Sequence, residues 1–126
     1  MPVGSVLVHG QSVLGQGHNR RLQEGSVILH AKMDALENAG RLTENIYSKC
    51  TPYTTLSPCV MCSGAILLYN IPQVIVGENK NFKDEEELLR SRGVSVTVLQ
   101  DHDCIKIMSG YIKANPKLWQ EDIGIG

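Results

Sequence analysis

The residues able to do chemistry are concentrated in two short stretches: His30, and the run Pro58-Cys59-Val60-Met61-Cys62. Two thiols at i and i+3 on the first turn of a helix share one face, and the positive end of the helix dipole favours their thiolate forms. That pair suits Zn²⁺. A third ligand from His30 makes a Cys₂His set with one coordination position left open, the arrangement of a catalytic zinc, whereas a structural zinc takes four protein ligands. Cys50, Cys104, His18 and His102 are the other candidates for a fourth ligand, and none has a local spacing that points to the site. A C-x-x-C at a helix start can also be redox-active or simply buried; Pro58 before it and His30 upstream favour the metal.

These residues need elements to hold them. Residues 3–8 and 12–16 favour strands around His9-Gly10-Gln11, the turn chemistry of an opening hairpin. Ser26 can cap a helix over residues 27–39 that carries His30, with Gly40 as its stop. Residues 53–56 read as a buried strand, after which Ser57 and Pro58 supply a capping hydroxyl and a first-turn proline to a helix over residues 59–69. Further on, residues 74–76 read as a strand, Asp84 and Glu87 as the start of a helix ending at Gly93, residues 94–99 as a strand, and residues 101–115 as a last helix. Strands separated by helices imply right-handed crossovers, so the hairpin should lead into a partly parallel, five-stranded mixed sheet in a three-layer α/β/α domain. The first strand has no helix before it, so part of one sheet face is expected to be bare or covered by a partner.

Composition sets the limits. The chain has 126 residues, short for more than one core, so a single domain over residues 1–126 is expected. Twelve basic and thirteen acidic side chains give a net charge of -1, far from the footprint of a protein that tracks a phosphate backbone, so nucleic acid is a poor first partner. Apolar runs such as Ala65-Ile66-Leu67-Leu68-Tyr69 are too short for a membrane span or a secretory segment. The chain reads as soluble and intracellular, in the cytoplasm or nucleus.

The motifs resemble the zinc-dependent nucleobase and nucleoside deaminases, whose signature is H-x-E followed by P-C-x-x-C. The resemblance is strongest to fungal cytosine deaminases, through Gly15-Gln16-Gly17-His18-Asn19, Leu36-Glu37-Asn38-Ala39-Gly40-Arg41-Leu42, Tyr53-Thr54-Thr55-Leu56-Ser57-Pro58-Cys59, Gly77-Glu78-Asn79-Lys80-Asn81-Phe82 and Trp119-Gln120-Glu121-Asp122-Ile123-Gly124. It implies that His30, Cys59 and Cys62 hold one zinc ion per chain. It also implies that Asn19 and the backbone of Ala31 bind the edge of a pyrimidine base, and that Leu56 and Ser57 line its reacting amino group. Phe82 and Trp119 would stack around the ring, Val3 would pack its edge, and Asp122 would meet it from a C-terminal lid. A flat, polar-edged base needs such apolar faces and a few directional partners. Without the resemblance, Trp119 could be a docking anchor, Asn19 a turn residue and Phe82 part of a small core cluster; His18 and His102 read as structural or surface residues.

The sequence departs from the family in two places. Where the family has a glutamate that shuttles protons, this chain has Lys32. An ammonium with a pKa near ~10.4 has no lone pair at neutral pH, and general acid-base help is typically worth ~10²–10⁴ in rate. Lys32 should swing away, lose its proton or weaken the metal. The second departure is the absence of the family's first helix, which should expose apolar surface and be offset in part by the homodimer the resemblance implies. The leading expectation is a cytosine deaminase of pyrimidine salvage with turnover compromised by Lys32. A non-catalytic zinc-binding subunit or scaffold is one alternative, and a nucleoside or transfer-RNA deaminase the other.

Overall fold

The computed structural model describes residues 1–124. Strands β1 (Gly4–His9) and β2 (Ser12–His18) form the opening hairpin, with Gly10 at φ +61° in its turn, a left-handed geometry glycine adopts without strain. Helix α1 (Arg21–Glu24) is a single turn, followed by α2 (Ala31–Ala39), α3 (Glu44–Tyr47), β3 (Cys50–Leu56) and α4 (Val60–Leu68). Then come β4 (Gln73–Glu78), α5 (Glu86–Ser91), β5 (Ser95–Val98), α6 (His102–Ala114) and α7 (Pro116–Asp122). The sheet order is β2-β1-β3-β4-β5; β1 is antiparallel to β2 and β3, while β3, β4 and β5 run parallel. The mixed five-stranded sheet matches the expectation.

One face of the sheet carries the main core. Leu7, Cys50, Val74 and Val76 from the strands meet Tyr47, Ile66, Ile71, Leu89 and Val94 from the helices and connections above them. Helix α2 lies close on β2 because Gly15 and Gly17 have no side chains: a Cβ on Gly15 would stand 2.4 Å from the Ala35 carbonyl oxygen, and one on Gly17 2.5 Å from the Ala35 nitrogen. Polar ties fix this contact. Asp34 accepts from the His18 backbone N–H at 3.1 Å, and Asn38 Nδ2 donates to the Gln16 carbonyl at 2.8 Å. On the opposite face α6 crosses β4 at Gly77, where an added Cβ would lie 2.8 Å from Cys104 Sγ. The rest of that face, with Val6, Tyr53, Ile75 and Leu99, lines an open groove of about 1030 Å³.

Three element boundaries correct the sequence reading. The helix carrying His30 starts at Ala31 instead of residue 27: the Ser26 hydroxyl accepts from Ile28 and Leu29 N–H in a local turn, and His30 stays extended at ψ 161°. The next helix is capped by Cys59, whose sulfur accepts from Cys62 N–H, and Ser57 turns its hydroxyl elsewhere. Asp84, expected to start α5, instead accepts from Val60 N–H at 3.1 Å and helps cap α4. Ser57 and Asp84 thereby exchange a local partner for one distant in sequence, Glu86 and Val60 respectively, while Ser26 keeps local partners in a turn that ends before the helix.

Candidate metal centre and adjoining cavity

The ends of α2 and α4 meet where His30 and Cys59 cap them. His30 Nδ1 lies 3.3 Å from Cys59 Sγ and 3.9 Å from Cys62 Sγ, and the two sulfurs are 3.6 Å apart. A tetrahedral zinc bound at about 2.3 Å by sulfur and 2.0–2.1 Å by nitrogen sets its ligand atoms roughly 3.5–3.8 Å apart, so the trio fits the ion in both donor type and spacing. It is the one such cluster among the described residues. Hydrogen bonding with Cys62, opposed by burial and aided by His30, holds the Cys59 thiol down at about 3. The same bond and burial push Cys62 well up, so the metal-free pair retains one proton that a metal must displace.

Lys32 sits one residue into α2 and is only 6% exposed. Its Nζ donates to Thr54 Oγ1 on β3 at 3.0 Å, and the Thr54 hydroxyl in turn donates to the Leu56 carbonyl. The ammonium therefore leans toward the sheet. Its charge still reaches the site, where it favours the Cys62 thiolate.

A small cavity opens beside the trio. It brings together Val3, Asn19, Ala31, Lys32, Leu56 and Ser57 with His30 and Cys59. Phe82 and Asp122 close it from later in the chain, and Met1 and Ile123, which the sequence reading did not single out, complete the wall. Trp119 stands just behind, its ring edge-on to Phe82 with centroids 5.9 Å apart, packed with Val3, Ala31, Leu56 and Met108. Every residue that the resemblance implied for the metal or the base thus lies at this site or in its immediate packing, while Cys50 and Cys104, offered as a fourth ligand, lie outside it. His18 and His102 stay outside it.

The walls are tied down by charge and amide chemistry. Asp122 is 8% exposed and accepts from Arg21 Nη1 at 2.7 Å and from Asn19 Nδ2 at 3.4 Å, which latches α7 to the start of α1. The loop bearing Phe82 is fixed by Asn81, whose backbone and side-chain N–H groups donate to the buried Glu78 carboxylate at 3.0 and 2.8 Å. Arg21, Glu78 and Asn81 were not found from sequence. Glu78 and Asn81 stood within a quoted family motif that gave them no role, and Arg21 carried no signal because its partners Glu121 and Asp122 lie about 100 residues away.

The comparisons agree with this geometry. Residues 1–78 match the cytidine and deoxycytidylate deaminase zinc-binding region. The chain is 54% identical over 125 residues to a cytosine deaminase of Candida albicans, spanning 98% of this chain and 83% of that protein. It is 40% identical over 90 residues to a tRNA-specific adenosine deaminase of Streptococcus pyogenes, covering 70% of this chain and 57% of the relative. Among solved structures, the guanine deaminase from Nitrosomonas europaea superposes with a TM-score of 0.70 at 21% identity, over 86% of this chain and 71% of that one, a likeness of fold. With its metal trio, sheet order and sequence all in agreement, the chain belongs to the cytidine and deoxycytidylate deaminase family and carries its zinc-binding region.

Proposed function

We propose that this chain is a cytosine deaminase by descent, built to convert cytosine and water to uracil and ammonia, with turnover impaired at Lys32. The observation that carries the reading is 54% identity to a cytosine deaminase across nearly the whole chain. The lining of the cavity supports it, because Val3, Leu56 and Phe82 present apolar surface beside the polar Asn19 and Asp122, the combination a flat, polar-edged base needs.

In this reading Asn19, Asp122 and the Ala31 backbone hold the polar edge of the ring, Phe82 covers one face with Trp119 packed edge-on behind it instead of stacking on the ring, and Leu56 and Ser57 flank the amino group. Zinc on His30, Cys59 and Cys62 would activate the attacking water. Proton transfer to the ring and to the departing ammonia falls to position 32, where the Lys32 ammonium donates to Thr54 and has no lone pair to offer. The same fact favours a second reading, a non-catalytic zinc-binding subunit. A transfer-RNA substrate has less support, since the resemblance to that relative covers 70% of the chain and the net charge is -1.

The proposal extends to one domain over residues 1–126, acting as a homodimer in pyrimidine salvage in the cytoplasm. No helix among the described residues is long and apolar enough to cross a membrane. The test is ammonia release by Lys32→Glu at full zinc occupancy, with cytosine, cytidine and adenosine-containing tRNA as substrates. Cytosine turnover should rise at least ~10²-fold over the parent, the low end of general acid-base effects. A folded, zinc-loaded Lys32→Glu protein inert toward cytosine would overturn the enzyme reading in favour of the subunit.

A further inference from the structure

The Ser57 hydroxyl is committed in one direction. Ser57 lines the cavity at the end of β3, is 2% exposed, and donates its O–H to Glu86 Oε2 at 2.5 Å. Glu86 comes from α5 and is 1% exposed. Its other oxygen is already taken: Oε1 accepts from Asn79 Nδ2 at 3.1 Å and faces Arg90 Nη1 at 3.6 Å. A carboxylate offers only acceptors and a hydroxyl only one hydrogen. With that hydrogen given to Glu86, Ser57 Oγ can only accept from a molecule in the cavity.

We infer that Glu86 is a specificity-determining positioning residue: by fixing Ser57 as an acceptor, it makes the cavity favour a pyrimidine bearing an amino group over one bearing an oxo group there. The inference rests on the reading of the cavity as a pyrimidine site. An amino group donates to the fixed oxygen, whereas a carbonyl meets it lone pair to lone pair, so the product is held less well than the substrate. A polar group in a buried site left without its partner is the stronger source of discrimination.

Glu86→Gln gives a prediction that mere loss of packing does not. The side chain keeps its shape, but only one of its two terminal atoms still accepts. Asn79 and Arg90 both present donors, so the amide oxygen must face them and the amide nitrogen must face Ser57. The nitrogen donates to Ser57 Oγ, whose hydrogen is then free to turn into the cavity. The polarity offered to the base is reversed.

The test is equilibrium binding of cytosine and of uracil to the zinc-loaded chain, read by the fluorescence of Trp119, the only tryptophan. Ammonia release is followed in parallel, so that only titrations in which cytosine stays intact are used. The parent should prefer cytosine, and Glu86→Gln should shift the cytosine-to-uracil affinity ratio by about 10-fold or more toward uracil. Ser57→Ala should also lose the preference, and adding Glu86→Gln to it should change the ratio no further. Equal weakening of both bases by Glu86→Gln, or an unchanged ratio, would overturn the inference while leaving the pyrimidine site standing. If Glu86→Gln does not fold, retention of the parental ratio by Ser57→Ala would overturn it instead. A parent that binds neither base would remove the pyrimidine reading, and this inference with it.

Discussion

Replacing Gly15 by alanine should damage the metal centre from a distance. The new Cβ would stand 2.4 Å from the Ala35 carbonyl oxygen, 2.7 Å from the Ala39 nitrogen and 2.9 Å from Ala39 Cα, all backbone atoms of α2. No rotamer change can relieve contacts with backbone. Ordinary Cβ contacts begin near 3.4 Å, so α2 and β2 must part by about 1 Å at this point. Overpacking on this scale costs roughly 1–3 kcal/mol. His30 immediately precedes α2, so a retreating helix takes the imidazole away from sulfurs now 3.3 and 3.9 Å off, while metal geometry tolerates only about ±0.2 Å. Zinc affinity should fall about 10-fold or more, as it does when the groups that orient metal ligands are disturbed. Denaturation followed by Trp119 fluorescence gives the stability, and competition with a chromophoric chelator gives the affinity. Gly110→Ala is the control: it lies in α6 with nothing within 4 Å of its added Cβ, and should gain about 0.5–1 kcal/mol from helix propensity. A Gly15→Ala protein with parental denaturation midpoint and zinc affinity would refute the argument that this close approach positions His30.

Four further outcomes are expected. Lys32→Gln removes the ammonium without supplying a base, so it should hold zinc more tightly by chelator competition yet leave cytosine turnover at background. Cys62→Ala should lose stoichiometric zinc in elemental analysis; retention would remove the assignment of the trio. Arg21→Met leaves Asp122 buried without its 2.7 Å cation, and should cost about 2–4 kcal/mol and red-shift Trp119 emission as α7 loosens, whereas unchanged emission would mean the latch does not hold the lid. Sedimentation at tens of micromolar should show self-association, and a monodisperse monomer would count against the homodimer.

The parts of the site legible in the sequence were those set by rare residue types at short range. His30 and the Cys59 and Cys62 pair declare themselves because few combinations of side chain and spacing suit a zinc ion. The hairpin and the alternating parallel strands were legible for a similar reason, since hydrophobic period and turn residues are local. What failed was the choice among partners. Ser57 had the right chemistry to cap α4, but a buried carboxylate 29 residues away took its hydrogen, and Asp84 reached back 24 residues to do the capping. Ser26 was read as a helix start because its hydroxyl does accept from the N–H groups ahead, yet the turn it closes stops before His30. Propensity describes which bonds a residue can make; tertiary structure selects among them.

The metal trio and the cavity beside it belong to different lengths of chain, and this bears on the order in which they form. The three ligands lie within residues 30–62, whereas the cavity needs Val3 from one end of the chain and Asp122 from the other, the latter tied to Asn19 across 103 residues. Closing the shorter loop costs less entropy, so the ligand set can assemble in a partly folded chain before α7 has docked. On the proposed function, zinc capture then belongs to an early stage of folding and base binding to the last. A chain nicked ahead of α7 would carry its metal and be blind to its base, so metal content alone is a poor measure of how much of a preparation is native.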